Sequence, residues 1–372
     1  MPIVIREYDV CMVPGVVAFN DRLAQGGTRW RFPTSPTSGW LPRRPGRSLF
    51  QQYFLALDGS SDVRGGYCIK HQDYRIGDSV RSIGQIALPL SEGIVDRTFA
   101  QVGAQLLLHA IHQQPLLYAL GIGGQDETIT HLVRAAGWRV ITLPFCFRVI
   151  RPYGFLRNVR ILRRSPLRRA ILDGLAFTGL GWLGGNVANF VLSYRAPSHQ
   201  GLTVEQVDEF SDWADELWQA FSPEYPYCAV RDTANLKILY PREDPRFMRL
   251  KISEAGRVIG WAVLLATDLK NHKQFSDMRL GSIVDVFARP ADAEKIIVAA
   301  ERWLRAKNVD LIVSNQSHTS WCRALRKCGF LAGPSNFLLA TSRKLTELLD
   351  KLQIANDKLH LNRGDGDGPI NL

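Results

Sequence analysis

Residues 281–330 read GSIVDVFARPADAEKIIVAAERWLRAKNVDLIVSNQSHTSWCRALRKCGF. Ser282 to Phe287 is an apolar, β-branched run, and Arg289-Pro290 breaks it. From Ala291 to Ala306, Ile296, Ile297, Ala300, Trp303 and Leu304 recur at helical spacing. Leu311 to Ser314 is a second short apolar run, and Thr319 to Lys327 a second amphipathic helix that stops at Gly329. The stretch therefore predicts strand, turn, helix, strand, helix.

The same order occurs earlier in the chain. Ile83 to Leu90 predicts a strand, Thr98 to His112 a helix, Pro115 to Gly121 a strand, and Glu127 to Ala136 a helix closing on Gly137-Trp138. In both places a basic amphipathic turn leads into a Gly-aromatic pair (HLVRAAGW, RALRKCGF), and an apolar strand follows, Arg139 to Phe147 or Phe337 to Thr341. One unit used twice implies an internal duplication. The expected division is an N-terminal domain over 1–150, a helical linker over 151–200, a C-terminal domain over 201–345, and a C-terminal helix end and polar tail over 346–372.

This order of elements resembles the core of the GNAT acyltransferase family. The resemblance implies an α/β (α+β) fold of two tandem GNAT-like domains, each a mixed twisted sheet flanked by helices. It also implies acyl-CoA as cofactor, acetyl-CoA first, with its pyrophosphate received by the helix that follows the fourth strand. There, glycines let consecutive N–H groups approach an anion at a helix N-terminus. The register set by Leu106-Leu107 puts Thr98, Gln101 and Gly103 at the three motif positions, of which only Gly103 matches. By resemblance the cofactor-binding set is Leu88, Leu90, Arg97, Thr98, Gln101, Val102, Gly103 and Ala104. The plain alternative is a scaffold helix capped by Asp96 or Thr98. In the second copy the corresponding loop is Ala288 to Glu294, without glycine. Its Asp292 and Glu294 favour the helix dipole and repel a pyrophosphate, so the second site reads as vestigial.

Acyl transfer also needs groups to move protons. The family's tyrosine position falls on Val133 and Leu325, which cannot donate one. Glu92, after the fourth strand, is the first candidate base, and Tyr118 on the fifth strand the candidate acid. In the second copy Asp285, Asn315 and His318 are candidate substrate-binding residues. The string RDTANLKILYP, with Arg231, Asp232, Leu236 and Tyr240, resembles tandem GNAT-like proteins of bacterial surface-polysaccharide machinery. That resemblance implies a saccharide-type or related small acceptor bound by Arg231 and Asp232, which otherwise read as a helix-capping ion pair.

Composition is that of a globular chain, 46% apolar and 22% charged over 372 residues, with net charge +11. Eight arginines fall between Arg148 and Arg169, and no acidic residue occurs from Glu127 to Asp173. The following ILDGLAFTGLGWLGGNVANFVL carries one charge and five glycines. Together, 151–192 suits an anionic membrane surface, or packing between domains. Six cysteines without a CxxC pair suggest a reduced compartment, and MPIVIREYDV lacks the features of a signal peptide. The expected location is cytoplasmic, with peripheral association at the inner membrane as its extension. No DNA partner is expected. Two rival readings stay open: a Fem-type aminoacyl-tRNA-dependent transferase, which would bind tRNA, and a non-catalytic scaffold in an envelope-assembly complex. The segment from about Asn356, polar and rich in Gly and Asp, is expected to be disordered.

Overall fold

The structure, a computed structural model, describes residues 2–152, 201–272 and 276–366. Nearly all of the expected linker, and with it the basic and apolar membrane-surface segment, lies outside these residues. No helix among the described residues is long and apolar enough to cross a membrane.

In chain order the first elements are β1 (Val4–Glu7), α1 (Val13–Gln25), β2 (Phe50–Leu57), β3 (Val63–Ile76), β4 (Ser79–Ser91), α2 (Val102–Gln113), β5 (Leu117–Leu120), α3 (Thr128–Ala135), β6 (Arg139–Thr142) and β7 (Phe145–Val149). Then come β8 (Leu202–Val207), α4 (Asp212–Phe221), β9 (Tyr227–Ala229), α5 (Thr233–Leu239), β10 (Met248–Glu254), β11 (Arg257–His272), β12 (Ser276–Ala288) and α6 (Ala293–Ala306). The last are β13 (Leu311–Asn315), α7 (Thr319–Lys327), β14 (Leu331–Gly333), β15 (Leu338–Thr341), α8 (Arg343–Lys351) and β16 (Leu359–His360).

The chain forms two compact units, Met1–Thr142 with Asn336–Ala355, and Leu143–Ser335 with Asn356–Leu372. The first contains the strand path β1-β2-β3-β4-β5-β15-β6, and the second β8-β10-β11-β12-β13-β7-β14. Position by position the two paths are the same. Strands 1 to 4 of each are antiparallel neighbours, and the fourth and fifth are parallel. The sixth place in each path is taken by a strand from elsewhere in the sequence. Ala340 of β15 pairs with Ala119 and Val140, and Val313 of β13 pairs with Phe147 of β7.

This corrects the expected boundaries. Arg139 to Phe147 is not one strand, because Pro144, which has no N–H to donate, separates β6 from β7; Pro334 separates β14 from β15 in the same way. At each proline the chain leaves one sheet and joins the other. The stretch Val204 to Phe221 holds two elements. Leu202–Val207 is the edge strand β8, where Thr203 and Glu205 lie across from Ser253 and Lys251, and the helix begins only at Asp212.

Hydrophobic periodicity seats the helices as expected. α2 buries Val102, Leu106, Leu107 and Ala110 against one face of the first sheet, together with Tyr67, Ile69 and Ile86. α1 covers the other face with Val16, Phe19 and Leu23 beside Leu55 and Cys68. In the second unit α6 buries Ile296, Ile297, Ala300 and Leu304. Each such aliphatic side chain contributes about 1.5–3 kcal/mol when removed from water, more than helix propensity supplies.

Because β15 fills the gap between β5 and β6, a fragment ending at residue 150 lacks a central strand and leaves two apolar strand edges unpaired. We expect residues 1–150 alone to be unfolded by circular dichroism and thermal melting. The same fragment joined through a flexible linker to residues 336–355 is expected to give a cooperative transition.

Candidate functional site

In the first unit β4 and β5 are paired only at Gly84–Leu117 and Gln85–Tyr118. Beyond these pairs β4 runs on to Ser91 while β5 ends at Leu120, which leaves a wedge between them. On its other flank β4 carries a bulge: Leu90 pairs with Gly66 and Ala87 with Cys68, so Leu88 and Pro89 face only Tyr67. Leu88 has φ of 50° and is 36% exposed. A β-branch-free but non-glycine residue in that region carries about 1–3 kcal/mol of strain, and bulges of this kind turn backbone groups out of the ladder. Leu90, beside it, is a core residue.

Two short turns, Glu92–Ile94 and Arg97–Phe99, lead from β4 to α2. Asp96 caps the second by accepting from the Thr98 N–H at 2.9 Å. Arg97 and Thr98 are exposed. At the start of α2, Gln101 is exposed and makes no capping side-chain bond, and no acidic residue lies in the first turn. A Cβ on Gly103 would meet nothing nearer than Ser91 Cβ at 3.9 Å, so packing does not require glycine there. Val102 is buried and Ala104 half-buried. The result is a helix start with free N–H dipoles, Arg97 in the preceding turn and no carboxylate in the first turn of α2, a donor set that suits an anion.

Glu92 does not stand free at this place. It is buried, and Arg22 Nε donates to Oε1 at 2.8 Å and Arg22 Nη2 to Oε2 at 3.0 Å. Arg64 Nη1 donates to both oxygens at 3.1 Å, while Arg64 Nε donates to Asp58 at 2.7 Å and its guanidinium lies over the Phe99 ring. Burial opposes the Asp58 charge, yet Arg64 and the Asp62 and Ser60 N–H groups hold its carboxyl below the usual range. The expected base is thus a clamp that fixes the turns before α2. Tyr118 is buried, with its hydroxyl 2.7 Å from that of Tyr74. Its partner Gln85 precedes Glu92 by seven positions on β4, about 20 Å at strand rise, so the structure does not bring Glu92 and Tyr118 together.

The second unit repeats the wedge and fills it. β12 and β13 pair from Leu280–Leu311 to Ile283–Ser314 and then part, with a bulge at Val284. Leu359 and His360 pair in parallel with Tyr227 and Cys228 of β9, Asn362 bridges Gln316, and Ser317 N–H donates to Leu361 O at 3.0 Å. The segment expected to be disordered is therefore ordered up to residue 366, with Leu359, His360, Leu361, Asn362 and Asp365 buried. Composition misled because Gly364 and Asp365 serve an internal contact.

That contact centres on Arg231, 1% exposed. Its Nε donates to Asp285 Oδ1 at 3.0 Å, its Nη2 to Asp365 Oδ2 at 2.8 Å, and its Nη1 to Ala229 O at 3.1 Å. Tyr240 and Asn362 also donate to Asp285, at 2.8 and 2.6 Å, and Asn362 N–H donates to Asp365 at 2.9 Å. Burial works against the Arg231 charge, but the two carboxylates hold it well above its ordinary range; burial pushes the Asp285 carboxyl up. Of the expected substrate-binding residues, then, Arg231 and Asp285 meet each other and are closed to solvent. Asp232 caps α5 by accepting from Asn235 N–H, Asn315 Nδ2 donates to Pro144 O, and His318 caps α7 by accepting from Ser320 N–H. Sequence reasoning missed Asn362 and Asp365; the alternation Leu359, Leu361 in LHLN was the available signal. Cys228 Sγ lies 3.4 Å from His360 Nδ1, but burial pushes the thiol up to about 12, so the pair holds no thiolate.

The second helix start differs in charge from the first. Asp292 and Glu294 open α6, and Lys295 and Lys327 pair with them at 3.0 and 2.7 Å.

No protein-family model and no curated protein matches this sequence. Solved structures do match. A conserved protein of unknown function from Enterococcus faecalis V583, described as a probable N-acyltransferase, superposes with TM-score 0.53 at 10% identity, over 94% of this chain and 75% of that one. Saccharomyces cerevisiae N-myristoyltransferase with bound myristoyl-CoA superposes with TM-score 0.50 at 10% identity, over 92% and 83%. The chain has the GNAT fold, with two mixed sheets flanked by helices. In each unit the parted parallel strands and the helix that follows the fourth strand are present, and in the second unit residues 359–365 lie against the parted strands.

Two outcomes follow from these contacts. Glu92→Ala leaves two arginines facing each other and is expected to cost about 2–3 kcal/mol in urea unfolding, whereas Glu92→Gln costs less and leaves any turnover within a few-fold of wild type. For pH, burial, and then Lys358, lowers the His318 pKa to about 4, against an ordinary value near 6.5. The unfolded chain then binds more protons than the folded one between these values, so stability is full above pH 6.5 and falls as pH drops toward 4. His318→Asn keeps a capping side chain and should reduce the slope of melting temperature with pH over that window; His71, His109 and His360, shifted the same way, add to that slope.

Proposed function

We propose that the protein transfers an acyl group from acyl-CoA to an amine or hydroxyl of a small acceptor, with the acyl-CoA held by the first unit. The observation that carries this reading is the parting of β4 from β5 after two residue pairs, set beside an α2 start with no capping side chain and no carboxylate in its first turn. The fold match supports it, since the yeast structure on the same fold holds myristoyl-CoA. The N–H groups of Val102, Gly103 and Ala104 would hold the pyrophosphate, and Arg97 and Gln101 would add donors from the preceding turn. Bound there, acyl-CoA supplies the activated acyl group. The protein's part is to fix the nucleotide by backbone dipoles and to present the bulge at Leu88 and Pro89 beside the wedge. Arg22, Arg64 and Glu92 act at one remove, by holding the turns that aim α2.

For the acceptor, the resemblance of RDTANLKILYP favours a saccharide or related small molecule. Arg231 and Asp285 do not contribute to that choice, because each is spent on the other and on Asp365. The cytoplasmic location, with association at an anionic membrane surface through 151–192, belongs to the same proposal and rests on sequence alone. The scaffold reading has one observation in its favour, the engagement of Glu92 and Tyr118 in internal bonds.

Titration calorimetry with acetyl-CoA separates the two readings. We expect binding that weakens as salt is raised, an affinity about tenfold lower for the Arg97→Ala, Gln101→Ala double variant, and none for Gly103→Glu, which puts a carboxylate at the helix start. Unaltered affinity in both variants overturns the assignment to the first unit, and absence of binding to wild type favours the scaffold.

A further inference from the structure

The wedge in the second unit is where a nucleotide would enter if the duplication were functionally symmetrical. We infer that the C-terminal segment 359–365 is a permanent internal occupant of that wedge, locked by Arg231, so that the second unit is closed to acyl-CoA and the protein holds one nucleotide per chain. The stoichiometry rests on the acyl-CoA reading above; the lock does not.

Three sets of contacts hold the segment. On one flank it extends β9 through the Leu359–Tyr227 and His360–Cys228 pairs. On the other it takes up the backbone that β13 leaves unpaired, through the Gln316–Asn362 bridge, the Ser317 N–H to Leu361 O bond and the Leu361 N–H to Ser317 Oγ bond at 2.8 Å. Between the flanks, the His360 ring sits 4.6 Å from that of Tyr225 and 6.0 Å from that of Trp321. The third set is polar. Asn362 reaches Asp285 on the parted strand β12, and Arg231 joins Asp285 to Asp365, which in turn caps the Asn362 N–H. Arg231 therefore ties one carboxylate of the sheet to one carboxylate of the segment.

Gly364 is part of the fit. A Cβ there would collide with the Tyr240 hydroxyl and lie 3.3 Å from Asp285 Cβ. Every group at that point is buried, so the neighbours have no room to yield. An exchangeable ligand would leave donors and acceptors unpaired on departure, and each such buried group is costly. The segment instead satisfies them from within the chain, and its effective concentration is set by the short connection from α8. Independently, Asp292 and Glu294 sit in the first turn at the adjoining helix start and already engage Lys295 and Lys327, cations that a pyrophosphate would have to win from them.

The test uses the full chain. In hydrogen exchange followed by mass spectrometry, peptides covering 359–366 are expected to exchange as slowly as those of β12 in wild type, and at least tenfold faster in Arg231→Met and in Gly364→Ala. The second variant covers the case in which the first fails to fold. Tyr240→Phe added to Gly364→Ala removes the colliding oxygen and should recover part of the protection. Calorimetry on wild type should give one acetyl-CoA per chain. Exchange of 359–366 at loop rates in wild type, or a second equivalent of acetyl-CoA, overturns the inference. Slow exchange without any acetyl-CoA binding retains the lock and overturns the function proposed above.

Discussion

Two parallel strands that pair for a few residues and then part create the constraint on which both units turn. β4 and β5 share two residue pairs, and β12 and β13 share four. Past that point the strands expose N–H and C=O groups toward a wedge, and a buried backbone group without a partner costs as much as a lost hydrogen bond. A sheet cannot repair this by itself, since closing the wedge would pull the fourth strand away from the third, to which it is paired over eleven positions in each unit. Something that is not a strand of the sheet has to occupy it. In the second unit that occupant is the segment 359–365, and in the first the strand that parts leads into a helix start without a carboxylate in its first turn.

Occupation by the chain brings charge inside. Arg231, Asp285 and Asp365 are taken out of water together, which no hydrophobic argument favours. What makes the arrangement tenable is saturation. Asp285 receives donors from Arg231, Tyr240 and Asn362, Asp365 receives them from Arg231 and the Asn362 N–H, and the remaining guanidinium donor meets Ala229 O. A fully satisfied polar network of this kind adds little net stability but admits one geometry, because any shift of the segment strands a buried charge. The first unit uses the same device at its surface-facing turn, where Arg22 and Arg64 converge on Glu92. In both units, then, arginine fixes a connection next to the wedge.

The fold was legible because it rests on periodicities that single residues reveal. Ile296, Ile297, Ala300 and Leu304 face the core, and the two Gly-aromatic pairs end helices as read, with Gly137 and Gly329 at φ of 77° and 81°. The helix expected from Thr98 begins instead at Val102, because Arg97–Phe99 forms a separate turn capped by Asp96. What could not be read were long-range pairings. The departure of β7 and β15 depends on which sheet offers a gap, and Pro144 and Pro334 mark only where a ladder must stop. The roles of Arg231 and Asp285 were misread because their partners Asn362 and Asp365 lie far along the chain, in a segment whose composition resembles a solvated tail. Glu92 was misread likewise: its function is set by Arg22 and Arg64, which approach from α1 and β3.

The two units share strand order, bulge and parted strands, yet differ in charge at one helix turn. A helix start free of carboxylates in its first turn and one bearing Asp292 and Glu294, with Lys295 and Lys327 paired to them, present different fields to a phosphate, and the difference lies within the first turn, where the dipole acts most strongly. Carboxylates at that turn make the second wedge a poorer place for an anion, while unpaired backbone there remains costly. The segment 359–365 supplies backbone pairs on both flanks and a carboxylate for Arg231, which removes that cost. The acidic helix start and the inserted segment therefore act in the same direction, and the first turn of α2, which bears no carboxylate, is where the first unit differs.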